Sequence, residues 1–267
     1  MPSNKLKIYT KPELIEKLKE ISALGFVQNK RQGSAGGVGN TLEDLLGIEE
    51  NNLPIPNAAE WELKAQRKNT TALTTLFHIE PSPRAIRFVP QMLLPKYGWK
   101  HQNAGKKYPV NEKSFRQTIQ GQSRSDRGFK VVVDCENKKV LISFDANSVD
   151  VQQHKEWLNS VKRNIGLTEL DPQPYWGFDD LAHKAGTKLH NAFYVQADVK
   201  TEQGIEFYHY NKIMMLQKFN FAGFLKALEA ANVFVDFDAR TGHNHGTKFR
   251  LKQNALPMLY EKQTVIL

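Results

Sequence analysis

Only one cysteine, Cys135, occurs in the 267 residues. That excludes an internal disulfide and any cysteine-rich zinc site, and it fits a reducing compartment such as the cytoplasm. No apolar run approaches the roughly 18 residues needed to span a bilayer, and the opening "MPSNKLKIYTK" lacks the apolar core of a secretory signal. The Gly-rich stretch "NKRQGSAGGVGN" is not followed by Gly-Lys-Ser/Thr, so it does not match a phosphate-cradling loop. Neither an internal repeat nor a cofactor motif is found. Acidic side chains are scarce relative to basic ones, 28 against 37, for a formal charge of +9 and a pI near 9.4. Such a balance favours a polyanionic partner, although many basic proteins bind none.

What is present is ordinary for a globular chain, with 40% apolar and 24% charged residues. The length suffices for a core in one large domain or two packed lobes. "YTKPELIEKLKEISALG" predicts a helix, with a Thr10–Glu13 capping box and Gly25 as its stop. Residues 29–40 read as a flexible connector, "NTLEDLLGI" as the start of a second helix, and "EWELKAQ" as a strand. "TALTTLFHI" (71–79) has strand-like composition and is expected to pair with that strand. Further on, "KVVVDC" and "KVLISF" predict a hairpin turning at "ENKK". Helices are expected at "SVDVQQHKEWLNSVKRN", "GFDDLAHKAGTKL" and "FAGFLKALEAAN", and strands at "NAFYVQADVK", "IEFYHYNKI" and "VFVDFDA". Helices and strands mix without regular alternation, which predicts an α/β (α+β) fold with a mixed sheet.

Two segments carry chemistry. Between residues 96 and 130 nine cations face only Glu112 and Asp126, with Tyr97, Trp99, Tyr108, Phe115 and Phe129 interleaved. Loops that close on phosphates have this composition, and so does a solvated basic face. In "NAAEWELKAQ" strand alternation places Glu60, Glu62 and Lys64 on one face and turns Trp61 and Leu63 to the core. Carboxylates on a rigid surface can bind Mg²⁺, which polarises a phosphate, and a nearby lysine can orient water and offset transition-state charge. The Leu63 carbonyl could add a metal ligand. A solvated charged face is the alternative.

The order and spacing of several blocks sharpen this. "KIYTKPELIEKLKEI", "KRQGSAGGVGNTLEDLL", "EENNLPIPNAAEWELKAQR", "LTTLFHIEP", "FRQTIQG", "YWGFDDLAHKAGTKL" and "TGHNHGTKFRL" run over most of the chain. Together they resemble the MvaI/BcnI family of type II restriction endonucleases. That family lies within the PD-(D/E)XK superfamily and is related to the nickase MutH. The resemblance implies that Glu62 and Lys64 are the catalytic acid and lysine, and that Glu43 borders the active site. Glu43 also reads as the partner of Asn40 in a capping box. Position 57, five residues before Glu62, is where the family has a metal-binding aspartate, and here it is Asn57. The implied metal set is thus Asn57, Glu62 and Leu63, with Glu60 outside it. An amide oxygen can bind Mg²⁺ but brings no charge, so the site loses part of its attraction for the ion, which suggests an impaired or inactivated form. Three readings of the asparagine stay open: a substitution introduced to trap a DNA complex, a natural site in which Glu60 or Glu43 compensates, or a natural binder that has lost cleavage.

Sequence-specific reading needs donors at base edges, with arginine on guanine the commonest device. "FDARTGHNHGTKFRLK" supplies Arg240, His243, His245, Lys248 and Arg250 around two glycines, and the resemblance implies that this loop enters the major groove. A metal site at His243 and His245 lacks an evident third ligand. His78 matches a position where one branch of the family contacts the central base pair, and it also reads as a core histidine. Lys113, Arg116, Arg124 and Arg127 are expected to clamp phosphates.

The resemblance implies a PD-(D/E)XK restriction-endonuclease-like core in two lobes around a DNA cleft. Residues 1–85 would form the catalytic lobe, with 252–267 packing on it, and 86–251 the recognition lobe. It further implies a cytoplasmic monomer that cuts double-stranded DNA by sequential nicking, with Mg²⁺, at a short G·C-containing site of the CC-N-GG kind. A cognate DNA methyltransferase would share the system. The alternatives are a MutH-like repair nickase and a sequence-specific DNA-binding protein without cleavage.

Overall fold

A computed structural model describes residues 9–31, 37–48, 61–68 and 70–267. In chain order come α1 (Lys11–Ala23), β1 (Val27–Gln28), α2 (Gly37–Leu46), β2 (Glu62–Arg67) and β3 (Leu73–His78). A 3₁₀ turn at Arg84–Ile86 and a π-type helix at Val89–Tyr97 lead to β4 (Trp99–Lys100), β5 (Lys113–Ile119), β6 (Arg127–Asp134) and β7 (Lys139–Val149). Next are α3 (Val151–Ile165), β8 (Tyr175–Gly177), α4 (Phe178–Lys188), β9 (Asn191–Glu202) and β10 (Ile205–Phe219). The chain closes with α5 (Phe221–Glu229), β11 (Val233–Arg240), β12 (His243–Asn244), β13 (Lys248–Lys252), a 3₁₀ stretch and β14 (Tyr260–Val265). Among the described residues no helix is long and apolar enough to cross a membrane.

Two compact units result. One comprises Met1–Ala72, Lys188–Asn220 and Leu256–Leu267, and the other Leu73–Thr187 and Phe221–Ala255. The division expected near residue 85 therefore falls at Ala72, and Lys188–Asn220 joins the first unit. The reason is the strand order.

In the first unit the sheet runs β1-β10-β9-β2, with β14 also on β10. β2 lies parallel to β9, Glu62 opposite Ala192 and Lys64 opposite Tyr194. Parallel neighbours need a crossover, and here the crossover is a large part of the second unit. The expected pairing of β2 with β3 is therefore not found. β3 instead pairs antiparallel with β13, His78 opposite Lys248 and Phe77 opposite Phe249. Two helices cover one face of the first sheet. α1 begins as predicted, the Glu13 carboxylate accepting from Thr10 N at 2.8 Å and Thr10 Oγ1 at 2.7 Å. It buries Leu14, Leu18 and Ile21, while α2 buries Val38, Leu42 and Leu46 at helical spacing. These side chains share one cluster with Leu63, Phe193, Val195, Tyr208 and Met215. Each large apolar side chain so buried contributes about 1.5–3 kcal/mol.

The second unit holds an antiparallel sheet β3-β13-β11-β5-β4 and a smaller one, β6-β7-β8. Phe77, Phe115, Phe237 and Phe249 are fully or almost fully buried on one side of the larger sheet. Trp176 packs edge-on against Phe249 at 5.2 Å and donates from Nε1 to the Ile79 carbonyl at 3.1 Å. The predicted hairpin forms between β6 and β7, where Asp134 accepts from Asn137 N at 2.9 Å and Nδ2 at 2.8 Å. α3 starts at Asp150, whose carboxylate accepts from Gln152 N and Gln153 N.

Candidate functional site

Strand alternation along β2 has the expected outcome. Trp61 and Leu63 are buried at 6% and 8%, while Glu62 and Lys64 keep about 30% and 28% of their side chains exposed. The Lys64 ammonium donates to Glu62 Oε1 at 2.7 Å. An acid and a cation are therefore held together at the solvent on a strand whose other face is anchored in the core. Gln66, the next residue on that face, donates to the Tyr194 hydroxyl, as Gln196 does at 3.1 Å. Arg67 closes the strand with a bidentate pair to Glu206, both contacts at 2.7 Å. Asn57 and Glu60 lie outside the described residues.

Glu43 sits half-buried on α2, which packs against β2. The capping box expected with Asn40 is not formed, because α2 already begins at Gly37 and Asn40 lies inside it. Residues 37–40 of the supposed connector are thus helix. The start of α2 rests on buried Asn29, which donates to the Tyr208 hydroxyl at 3.2 Å and accepts from Thr41 Oγ1 at 3.4 Å. A Cβ at position 37 would lie 2.7 Å from both Asn29 Nδ2 and the Tyr208 oxygen, so any larger residue would have to push this hydrogen-bonded pair aside.

In the second unit the register gathers half of the predicted DNA-contacting residues on one face. Phe115, Phe237, Phe249 and Leu251 point to the core, so their strand neighbours Arg116, Asp236, Asp238, Arg240, Lys248 and Arg250 share the opposite, polar face. Asp238 lies directly opposite Arg116, and Lys248 lies between Asp236 and His78. Arg116 Nε is 3.0 Å and Lys248 Nζ 3.5 Å from the Asp238 carboxylate. Asp236 accepts from Thr118 Oγ1 at 2.7 Å and has Arg250 at 3.7 Å. Arg240 pairs with Glu112 at 3.1 Å and lies over the Tyr108 ring at 4.6 Å. β12 folds back on β11 beyond Gly242 (φ 70°), which leaves His243 and His245 exposed with ring centroids 4.3 Å apart. Glu80 fastens the base of this loop, accepting from Thr247 N at 2.9 Å and Oγ1 at 3.2 Å. Among the described residues no three His, Cys, Asp or Glu side chains are grouped to hold a metal.

The phosphate-clamp set does not stay together. Arg116 alone is on the polar face, 65% exposed. Lys113 lies on the other side of β5 and donates to the Pro95 carbonyl at 2.7 Å. Arg124 is committed to the Gly128 carbonyl at 2.8 Å and to Ser143. Arg127 is stacked on Trp99 at 4.0 Å with only 17% of its side chain exposed, and burial lowers its pKa. Composition recorded the charges of this segment but not which of them the local fold would use. Conversely, Asp236, Asp238, Thr118 and Glu80 escaped the sequence reading. The alternation of Asp236, Asp238 and Arg240 with apolar residues was the signal that could have found the two acids.

His78 is exposed at the end of β3, not a core residue. Its pKa is held below the ordinary value, first by partial desolvation and then by Lys248, against an opposing pull from Glu80. A depressed imidazole pKa favours the neutral ring, which can both donate and accept at a base edge. Its contribution to stability is therefore full above the unfolded pKa of about 6.5 and declines as pH falls below it. An NMR titration is expected to give a midpoint below that of an unfolded-peptide histidine, moving upward in Lys248→Gln. A midpoint unmoved by that substitution would count against the charge coupling.

The sequence matches the description "MvaI/BcnI restriction endonuclease family" over residues 15–260. No curated protein matches the chain. Among solved structures, the fold is similar to "Restriction endonuclease MvaI-cognate DNA substrate complex", with a TM-score of 0.71 and 25% identity over 97% of this chain and 100% of that one. It is also similar to "Restriction endonuclease MvaI in the absence of DNA", with a TM-score of 0.57 and 22% identity over 98% of this chain and 100% of that one.

Proposed function

The chain belongs to the MvaI/BcnI restriction endonuclease family, a family of type II site-specific deoxyribonucleases, and from that premise we propose how its two units divide the work. The first unit carries the hydrolytic strand β2. The second unit reads double-stranded DNA with the polar face of its larger sheet. The observation that supports this best is the register that puts Arg116, Lys248, Arg250 and His78 on one surface. Arginine and lysine there suit guanine O6 and N7, which favours a short G·C-containing target of the CC-N-GG kind. His243 and His245 extend the same surface along the β12 loop.

Hydrolysis breaks the bond from phosphorus to the 3′ oxygen as water attacks in line, leaving 5′-phosphate and 3′-hydroxyl ends. The Lys64 ammonium, already fixed by Glu62 at 2.7 Å, is placed to orient that water and to offset charge building on the phosphate oxygens. Family membership implies a metal. The Glu62 carboxylate, the Leu63 carbonyl and the Asn57 amide are hard oxygen donors of the kind Mg²⁺ takes, and they would hold it. When bound, Mg²⁺ supplies Lewis-acid polarisation of the phosphate. With one carboxylate and one neutral amide in the set, this chain attracts the cation less strongly than a pair of carboxylates would. One such strand among the described residues is consistent with a monomer that nicks one strand and rebinds for the other. Such an activity in the cytoplasm calls for a methyltransferase that protects the host's own sites.

Selection of bound duplexes from a random library by the protein as it stands tests the reading. The bound set is expected to share one short G·C-containing consensus. Retention without any consensus would remove the site-specific assignment.

A further inference from the structure

The polar sheet face contains two acids where a DNA-binding surface has most to lose from negative charge. Asp238 is central among them. Its carboxylate meets Arg116 Nε at 3.0 Å, Arg116 Nη2 at 3.4 Å and Lys248 Nζ at 3.5 Å, and its carbonyl accepts from His245 N at 3.0 Å. Its side chain is 19% exposed, whereas Arg116 is 65% exposed. The acid is therefore set down in the sheet with Arg116 reaching past it to solvent, while Lys248, 20% exposed, lies at the depth of the acid itself.

We propose that Asp238 determines specificity by self-competition: its carboxylate occupies Arg116 and Lys248 as a phosphate would, so DNA must displace or share it to bind. This rests on reading the sheet face as the DNA-contacting surface. A backbone phosphate offers an acid nothing but repulsion, because it has no donor. A base edge does offer a donor: in the major groove the amino groups of cytosine and adenine can donate to a carboxylate. Non-specific duplex thus loses affinity at Asp238 without return. A target that presents an amino group beside the guanine contacted by Arg116 or Lys248 regains it. The same ion pair holds two guanidinium nitrogens of Arg116 on the carboxylate, which limits the orientations from which it can grip a phosphate.

Asp238→Asn keeps the shape and removes the charge. Its affinity is to be compared with wild type on two duplexes: one selected by the wild-type protein from a random library, and a scrambled duplex of equal length and composition. The variant is expected to bind the scrambled duplex about 3- to 10-fold more tightly, since two cations are released at surface ion-pair strength. Its plot of log affinity against log salt should steepen by about one to two, as the freed cations engage phosphates. Preference for the selected duplex should fall roughly tenfold or more, the scale of one lost base contact. In an Arg116→Gln/Lys248→Gln background the tightening on scrambled DNA should vanish. Persistence of the tightening there, or unchanged or weaker scrambled binding in Asp238→Asn, overturns the proposal. Should the amide variant fail a thermal-melt check, Asp238→Ser asks the same question. A consensus in wild type with preference intact in Asp238→Asn defeats this inference alone, whereas no consensus in wild type defeats the DNA-reading surface beneath it as well.

Discussion

An Asn57→Asp protein is expected to cleave duplex DNA roughly two to three orders of magnitude faster than the chain with asparagine. Metal polarisation of a phosphate is worth several kcal/mol of barrier, and about 1.4 kcal/mol corresponds to each tenfold in rate. The asparagine offers one neutral oxygen, so an aspartate would raise both the occupancy of the cation and the field it experiences. The Mg²⁺ concentration giving half-maximal cleavage should fall in parallel. Time courses on a library-selected duplex across a Mg²⁺ series measure both effects. Absence of any gain would take position 57 out of the metal set and favour a DNA binder without cleavage.

In that Asn57→Asp background, Glu62→Gln is expected to lower cleavage by roughly a thousandfold, and Lys64→Gln by a comparable factor. Each glutamine preserves size and polarity. The Glu62–Lys64 ion pair is partly exposed, at 30% and 28% of the respective side chains, so its loss should cost the fold no more than about 1 kcal/mol. Duplex affinity should stay within about threefold of the parent, because both residues lie in the first unit and the residues proposed to read bases lie in the second. Single-turnover rates beside filter-binding constants separate the two quantities. A parallel loss of binding and cleavage would mean that Glu62 and Lys64 act on DNA retention and not on bond breakage.

How much of this was legible beforehand depended on how local the cause was. The α1 capping box needs only Thr10 and Glu13, three residues apart, and it was predicted and found. The Glu62/Lys64 face follows from the two-residue period of one strand, and it too was found. Partner strands are a different matter. The segment 71–79 reads as a strand either way, yet its neighbour is β13, about 170 residues on, and not β2. Nothing within the segment distinguishes those partners, since both would bury Phe77. The basic stretch 96–130 stayed open between two readings for a related reason. Charge can be counted from composition, but whether Arg124 meets solvent or the Ser143 oxygens depends on where β7 lies.

The sequence by itself determined the family, the start of α1, the strand faces and the identity of the acid and lysine on β2, because each rests on neighbouring residues or on the order of blocks. Only the tertiary structure decided which charges remain available to a ligand. Arg116, Lys248 and Arg250 lie far apart in the chain and become one surface through antiparallel register, with Asp236 and Asp238 set among them. Side-chain charge is carried by a residue wherever it sits, but its use depends on what the fold places within a few ångströms.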